Sequence, residues 1–272
     1  MFREAAGHEG AINGKIRVIA SPDGQRWESL ALIAQEGVDL RDPKVFIMPT
    51  GRLMLVAAGS IYDDQIYLTR APRVAFSSDG RTWAPPRKVL AEDHWLWHAT
   101  WHDGWAYSVS KLGEGRDPRR GMLFRSRDGL DWQWTTEFRL PEKIWNASET
   151  TPRFLPDDEL VALVRPHWIG TSRTTYRQWS WTNMKYKIGG PNFIRTDGGQ
   201  LWAAGRRYLA GGQRHTVLAR MSCDSYEAVL TLPSGGGNSY PGMVWHDGLL
   251  WMSYYWSHEG KTSIYLAKIR IH

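Results

Sequence analysis

The sequence contains a single cysteine, Cys223, among its 272 residues. An intrachain disulfide is therefore excluded, and cysteine usage leaves the redox compartment open. Long apolar runs are absent too, since none approaches the ~18 residues of a membrane-spanning helix. The opening residues Met1-Phe2-Arg3-Glu4 are not typical of a signal peptide. We expect no membrane partner and a soluble chain that is either cytoplasmic or secreted with its leader removed; the oligomeric state is left open.

Metal-ligand and phosphate-binding spacings are also lacking. His94 and His98 are four residues apart but flank tryptophans in a stretch typical of a strand rather than a helix. Gly235-Gly236-Gly237 is followed by Asn238-Ser239-Tyr240 and lacks the lysine and Ser/Thr pair of a phosphate-binding loop. The net charge is +6, but the basic residues are interspersed with acids, and the one dense cluster, Arg116–Arg120, is typical of a solvated turn. We predict no cofactor, no metal and no nucleic-acid partner.

The chain is rich in aromatic residues and carries a repeated turn motif. Sixteen Trp and eleven Tyr favour a β architecture over a helical bundle. Ser-x-Asp-Gly-x-x-Trp occurs three times, beginning at Ser21, Ser77 and Ser126, and weaker copies follow at Ser172 and Ser222. Asp and Ser side chains bond backbone amides in such a turn, Gly takes the positive φ, and Trp packs beneath it. A repeat of about 50 residues built from short strands is typical of β-propeller blades.

Each repeat also contains a pair of apolar strands upstream of its turn motif. Examples are 45–48 with 53–56, 153–155 with 160–163, and 242–245 with 249–252. A third strand before the turn and a fourth after it would complete four antiparallel strands per blade. There are five clear repeats and a split or shortened sixth at the chain ends. The sequence therefore predicts an all-β, six-bladed β-propeller in a single domain, residues 1–272.

The turn motifs and strand pairs together resemble the sialidase (neuraminidase) superfamily of Asp-box, or BNR-repeat, propellers over essentially the whole chain. Arg41-Asp42-Pro43 is similar to the Arg-Ile-Pro of the family, although the middle residue differs. Glu149 precedes Leu155-Pro156-Asp157-Asp158, with Arg165 at the end of the next strand, a spacing similar to that of the family. Tyr240 in Ser239-Tyr240-Pro241 resembles the family's tyrosine at the opening of the last blade.

The resemblance implies an exo-α-sialidase-like glycoside hydrolase that binds an acidic glycan or sialoside. Tyr240 would be the nucleophile and Glu149 the base that accepts its proton, while Arg41, Arg165 and Arg214 would bind the substrate carboxylate. Arg206 and Arg207 compete with Arg214 for the third position. The general acid is the weakest match: Asp63 and Asp64 occupy the expected interval, Asp42 is a further candidate, and a solvated turn explains Asp63 and Asp64 equally well.

Physical chemistry supports this assignment without the resemblance. Guanidinium groups make planar, charge-assisted hydrogen bonds to a carboxylate, each contributing ~1.5–3 kcal/mol where water is excluded. A phenol with a pKa of about 10 is a poor nucleophile unless a base takes its proton. Each candidate also has a non-catalytic explanation. Arg165 and Arg214 could be solvent-exposed charges, and Arg41 could pair with Asp42. Glu149 could be an ordinary loop acid, and Tyr240 could be an aromatic residue packed at the start of a strand.

Two other functions fit the same sequence. Arginines would bind a uronate as well as a sialic acid, and His98, His102 and His215 leave open a base for a uronate-polysaccharide lyase. A catalytically silent carbohydrate-binding propeller would need only the turn motifs and the tryptophans. Fold alone does not decide among these functions. Convergence of Arg41, Glu149, Arg165, Arg214 and Tyr240 on one depression is the geometric prediction.

Overall fold

The computed structural model describes residues 1–7, 13–113, 119–142 and 147–271. These residues form six antiparallel sheets of three or four strands and one 3-10 turn, Ala210–Gly212. The all-β prediction of six blades is confirmed. Of the predicted solvated turn, residues 116–118 lie outside the described part of the chain. In the described part, no helix is long and apolar enough to cross a membrane.

The first three sheets follow one another along the chain. Their strands are β1 (Phe2–Glu4), β2 (Lys15–Ala20) and β3 (Glu28–Ile33); β4 (Asp39–Ile47), β5 (Leu53–Asp63), β6 (Ile66–Ser77) and β7 (Arg87–Lys88); and β8 (His94–His102), β9 (Trp105–Leu112), β10 (Arg120–Ser126) and β11 (Gln133–Glu137). Each strand pairs with the next one in sequence, so every sheet is a meander.

The last three sheets have the same order. Their strands are β12 (Thr150–Phe154), β13 (Leu160–Val164), β14 (Trp168–Ser172) and β15 (Ser180–Asn183); β16 (Ile188–Arg195), β17 (Leu201–Tyr208), β18 (Arg214–Met221) and β19 (Tyr226–Thr231); and β20 (Asn238–His246), β21 (Leu249–Ser257) and β22 (Thr262–Arg270).

The turn motifs join the last two strands of each sheet that has them. In the second, Gly80 N donates to Ser77 Oγ (2.8 Å), while the amides of Arg81 and Thr82 donate to Asp79 Oδ1 (2.8 and 2.7 Å). The first motif lies between β2 and β3, and β3 leads directly into the next sheet, as a fourth strand does elsewhere. The strands β1–β3 thus match the second to fourth strands of a blade, and β20–β22 match the first to third.

The tryptophans of the motif behave differently from one copy to another. Trp132 is buried and its Nε1 donates to Gly129 O at 2.9 Å, and Trp83 makes the same bond to Gly80 O at 3.0 Å. Trp27 is 49% exposed, so the prediction that the tryptophan packs beneath the turn is wrong for the first copy. Ser21 and Asp23 still accept the amide hydrogen bonds of that turn, which therefore forms although the Trp27 ring is half exposed.

The chain divides into two compact units, Met1–Asp117 with Met122–Thr136 and Pro118–Gly121 with Glu137–His272. In the second unit, sheets pack through the alternating faces of their strands. On β17, Ala203 joins a core with Leu163 and Phe193, whereas Trp202 joins another with Met252. Burying each large side chain stabilises the fold by ~1.5–3 kcal/mol. Whether residues 1–272 form a single domain stays a prediction.

Among the described sheets, four first strands have a β-bulge near their beginning: one is β8, between Leu96 and Ala99, and the other three share a local pattern. In these three, the register shifts between Arg41 and Lys44 in β4, between Gly189 and Asn192 in β16, and between Ser239 and Gly242 in β20. Each of the three bulges contains a left-handed residue followed by proline: Asp42 (φ 48°), Gly190 (φ 57°) and Tyr240 (φ 51°). A bulge leaves one residue outside the ladder and re-aims its side chain. The predicted site residues Asp42 and Tyr240 both occupy this position.

Candidate functional site

Glu149 and Arg165 are neighbours because of the register of one hairpin. The strands β12 and β13 pair Thr150 with Val164, so the residues just outside the ladder face each other. Arg165 N donates to Glu149 O at 2.9 Å, which extends the ladder by one step. The interval of 16 residues seen in the sequence is therefore the length of this hairpin, and it places the two side chains side by side.

Tyr240 reaches the same carboxylate from another sheet. Its hydroxyl donates to Glu149 Oε1 at 2.6 Å, and Arg165 Nη1 donates to the same oxygen at 2.6 Å. The other oxygen, Oε2, accepts the backbone N–H of Gly190 at 2.6 Å. The Glu149 side chain is only 8% exposed. A phenol, a guanidinium and a peptide N–H thus converge on one largely buried carboxylate, which is well placed to accept the proton of the phenol.

The charge of Glu149 is balanced within the cluster. Burial of the Arg165 guanidinium acts to lower its pKa, but the Glu149 carboxylate, together with the Tyr208 and Tyr240 oxygens, raises the pKa of Arg165 above its usual range. Arg165 therefore stays cationic. Its side chain is 28% exposed, so part of the guanidinium remains open to a ligand beside the ion pair.

A second arginine, Arg206, lies behind Tyr240. Its Nε donates to Asn238 O at 2.7 Å and its Nη2 to the hydroxyl of Tyr255 at 2.8 Å. The ring of Tyr255 stacks on that of Tyr240, with centroids 5.9 Å apart and planes at 17°. Burial acts to lower the pKa of Arg206, and the neighbouring Tyr255 oxygen helps to raise it overall.

The predicted third arginine, Arg214, is exposed at the start of β18. Its guanidinium carbon lies 5.9 Å from the centroid of Tyr208, and that of Arg206 lies 6.0 Å from the same ring. The hydroxyl of Tyr208 accepts Arg165 Nη2 at 3.4 Å. Arg207 lies over Tyr186 instead, at 4.9 Å. Arg206 and Arg214 therefore both border the cluster through Tyr208, and Arg206 is the less exposed of the two.

Arg41 belongs to the first unit, where it has a buried carboxylate partner. Its Nε donates to Asp39 Oδ2 at 2.7 Å, and the Asp39 side chain is fully buried. Asp39 Oδ1 accepts Arg3 Nη2 and the N–H of Gly14, both at 2.9 Å. Burial acts to lower the pKa of Arg41, and Asp39 raises it overall. The role predicted for Arg41 in binding a ligand stays a prediction.

The three general-acid candidates also lie in the first unit. Asp42 is the left-handed residue of the β4 bulge and is half-buried. Asp63 ends β5, and Asp64 follows in the turn to β6; both are exposed. Their exposure agrees with the solvated-turn interpretation of Asp63 and Asp64. The general-acid role of the three aspartates stays a prediction. His98, His102 and His215, the candidate bases of a lyase, are half-buried on β8 and β18.

Several residues of the cluster were missed at the level of sequence. Gly190, Tyr208 and Tyr255 contact Tyr240, Arg165 or Glu149, yet none belongs to a motif that was recognised. The available signal was Gly189-Gly190-Pro191, which repeats the left-handed-residue-plus-proline pattern of Tyr240-Pro241. Among the residues that the structure describes, no group of three or more His, Cys, Asp or Glu side chains is arranged to hold a metal ion.

No family model and no curated protein matches the sequence. Solved structures do match: a protein of unknown function from Dyadobacter fermentans superposes with a TM-score of 0.84 at 16% identity, covering 99% of this chain and 87% of that one. A Trypanosoma rangeli sialidase in complex with the inhibitor DANA gives 0.71 at 11% identity, over 94% of this chain and 50% of that one.

An α-L-arabinofuranosidase from Fusarium graminearum in complex with an iminosugar inhibitor has a TM-score of 0.69 at 13% identity, over 94% of this chain and 85% of that one. Identities this low establish a shared fold and leave the substrate open. The chain is thus similar in structure to propeller glycoside hydrolases that differ in substrate, and its fold is the six-bladed β-propeller.

Proposed function

We propose that this protein is a retaining glycoside hydrolase that acts on a terminal sialic acid or a related acidic sugar. The observation that carries the proposal is the 2.6 Å hydrogen bond from the Tyr240 hydroxyl to Glu149 Oε1, inside a cluster of arginines. Sialidases are the glycosidases that use a tyrosine instead of a carboxylate as nucleophile. A phenol bonded to a buried carboxylate beside guanidinium groups suits that chemistry.

The reaction follows from these contacts in two steps. In the first, the Tyr240 oxygen attacks the anomeric carbon, its proton passes to Glu149 Oε1, and the glycosidic bond breaks to release the aglycone oxygen. In the second, water attacks the same carbon, Tyr240 leaves as phenolate, and the proton held by Glu149 returns to it while the water proton is released to solvent. Net retention results because the anomeric carbon inverts twice.

The arginines give the site its preference for an anion. Arg165 neutralises Glu149, which would otherwise repel an anionic substrate, and it keeps an exposed part of its guanidinium. Arg206 places a second cation beside Tyr240, and Arg214 a third at the edge of Tyr208. Guanidinium groups bind carboxylates with planar, paired hydrogen bonds. We propose that these residues bind the sugar carboxylate, and we retain Arg41 as a predicted contributor.

The leaving oxygen requires a proton unless the aglycone is already a good leaving group. Asp42, Asp63 and Asp64 remain the candidates for this general acid. The test of the nucleophile is therefore best made with an activated aryl glycoside, since a stabilised phenolate leaves without protonation.

A second candidate substrate is an arabinofuranoside. It is favoured by the structural likeness to the Fusarium graminearum α-L-arabinofuranosidase and to an endo-arabinase from Bacteroides thetaiotaomicron, which has a TM-score of 0.59 at 14% identity. A neutral pentose would offer no anionic group to the three arginines, and for this reason we place it second.

A substrate panel tests the proposal. Wild type, Tyr240→Phe and Tyr186→Phe are each given an aryl sialoside, an aryl arabinofuranoside and a uronate polysaccharide. We expect release of the aryl group from the sialoside by wild type and by Tyr186→Phe, whose exposed ring lies under Arg207. Tyr240→Phe should lose this turnover. Hydrolysis of the arabinoside alone, an ultraviolet-absorbing unsaturated uronate, or binding without turnover would reject the proposal in favour of one of the other functions.

A further inference from the structure

The bulge of β16, Gly189–Gly190, touches both members of the Tyr240–Glu149 pair, although it was not part of the predicted site. One glycine contacts the carboxylate and the other contacts the segment that carries the phenol. Both are buried. Two peptide groups of one bulge are thus in contact with both reacting side chains.

The Gly190 peptide fixes the orientation of the base. Its N–H donates to Glu149 Oε2 at 2.6 Å, and this bond leaves Oε1 turned toward the Tyr240 hydroxyl and Arg165. A carboxylate held at both oxygens cannot rotate about its terminal torsion without breaking a charge-assisted hydrogen bond. The proton-accepting oxygen is therefore kept 2.6 Å from the phenol.

The Gly189 peptide fixes the segment that carries the nucleophile. Ser239 Oγ donates to Gly189 O at 2.8 Å, and the Ser239 side chain is buried. Ser239 and Tyr240 have φ values of 122° and 51°, which residues with a side chain rarely adopt. Such backbone persists only where surrounding contacts determine it, and the bond to Gly189 is one such contact.

The bulge also has no room for a side chain. A methyl carbon added at Gly190 would lie 3.0 Å from Cδ1 of Tyr240 and 3.0 Å from Ser239 Oγ. Gly190 has a φ of 57°, so alanine would in addition be strained there. The Tyr240 ring thus occupies the space that a side chain at Gly190 would need, and any larger residue would displace the ring or the bulge.

We propose that the Gly189–Gly190 bulge, with Ser239, is the positioning element of the reacting pair, holding Glu149 Oε1 and the Tyr240 hydroxyl at proton-transfer distance. Gly190 and Ser239 are positioning residues in this sense, since they act through Glu149 and Tyr240. The inference rests on the proposed function for its catalytic meaning, while its geometric content is independent of it.

Two variants with matched controls test the inference. Ser239→Ala removes one hydrogen bond, and Ser172→Ala is its control, because Ser172 is also buried and donates to a backbone carbonyl, Gln178 O. Gly190→Ala adds a methyl at a left-handed position, and Gly248→Ala is its control, since Gly248 has a φ of 70° and no atom within 4 Å of the added carbon.

With an aryl sialoside, kcat of Ser239→Ala should fall roughly five- to tenfold, the loss expected for one hydrogen bond. For Gly190→Ala the loss should be on the order of a hundredfold, as for displacement of a reacting group by about 1 Å. In both variants KM should stay within about twofold of wild type, because the substrate carboxylate contacts are retained. Both controls should retain the wild-type kcat.

A wild-type kcat in Ser239→Ala and Gly190→Ala, with Tyr240→Phe inactive, would overturn the inference and leave the proposed function standing. Crystal structures of the variants test the positioning role independently of turnover, through the distance between the Tyr240 hydroxyl and Glu149 Oε1. Separation of the Tyr240 hydroxyl from Glu149 Oε1 beyond 3.5 Å in both variants supports the positioning role. An unchanged distance of 2.6 Å in Ser239→Ala contradicts it, even if wild type hydrolyses none of the glycosides and the proposed function has failed.

Discussion

Glu149 is the residue on which the hydrogen bonds of the site meet. Tyr240 and Arg165 both bond its Oε1, and Gly190 bonds its Oε2. An amide at this position would keep the shape of the side chain but would accept a proton far less readily. A single isosteric substitution therefore separates the chemical role that we propose for the carboxylate from its structural role.

We predict that Glu149→Gln lowers kcat by ~10²–10⁴-fold, the range for loss of a general base. The melting temperature should fall less than in Glu149→Ala, since the amide oxygen still accepts from Arg165. Steady-state kinetics and thermal unfolding measure the two effects, with the exposed Glu227→Gln as control. A variant that loses stability but keeps its kcat would assign Glu149 a structural role only.

Arg206 and Arg207 are adjacent in sequence and differ in surroundings, which offers a direct test of the anion site. We predict that Arg206→Met weakens binding of a sialic-acid analogue by ~1.5–3 kcal/mol, since one charge-assisted hydrogen bond is lost. Arg207→Met should bind as wild type does, because its guanidinium lies over Tyr186. Inhibition constants measure both. Equal weakening would indicate a general effect of net charge instead of a defined contact.

At the scale of the element, the turn motif owes its stability to an ionised aspartate. Backbone N–H groups of Thr82 and Arg81 and the Ser77 hydroxyl lower the pKa of Asp79 to about 2. A folded-state pKa below the unfolded value stabilises the protein above the unfolded pKa, and this stabilisation is lost as the pH falls toward the folded pKa. The turn that Asp79 stabilises should therefore contribute less to the stability of the protein in acid.

We predict that Asp79→Asn lowers the melting temperature at neutral pH and that its difference from wild type shrinks between about pH 4 and pH 2. Thermal unfolding of both proteins across this range measures the effect. Ser78→Ala, at an exposed and non-titrating position of the same turn, is the control and should show no such convergence. A difference that stays constant down to pH 2 would exclude the ionised aspartate as its source.

Two glycines at the same place in the motif should differ in their tolerance of alanine. Gly80 and Gly129 have φ values of 72° and 78°. Replacing either by alanine should therefore lower the free energy of unfolding by ~1 kcal/mol through backbone strain. The added carbon would be 3.5 Å from Leu53 at Gly80 but 2.5 Å from Met54 Sδ at Gly129. We predict that only Gly129→Ala lowers the free energy of unfolding by a further ~1–3 kcal/mol, as measured by urea unfolding. Equal losses would mean that the core accommodates the methyl group.

The sequence predicted these elements well because their causes are local. A Ser-x-Asp-Gly turn satisfies its own amides, and paired apolar strands alternate with a fixed period, so both can be read from neighbouring residues. The bulge at Gly190 was missed because its function depends on Glu149, 41 positions away. The sequence left the choice between Arg206 and Arg214 open for a similar reason, since the choice depends on which side chain lies beside Tyr208 and Tyr255.

At the scale of the whole molecule, the fold does not fix the function. Six sheets of this kind occur in a sialidase and in an arabinofuranosidase that are both similar in structure to this chain. Substrate specificity depends instead on the side chains that form the site. In the second unit these side chains are a phenol, a carboxylate and three arginines, two of them partly buried, a set that suits an anionic sugar.

The central claim is that Tyr240 attacks the anomeric carbon, and it can be tested by trapping the covalent intermediate. A sialosyl fluoride with a second fluorine at C3 provides the probe: the Tyr240 oxygen displaces the anomeric fluoride, the phenol proton passes to Glu149, and the fluorine at C3 slows hydrolysis. We predict that mass spectrometry finds one glycosyl group per protein, mapped to Tyr240, and none in Tyr240→Phe. A glycosyl group on Glu149, one that persists in Tyr240→Phe, or an unmodified wild type would contradict the proposed mechanism.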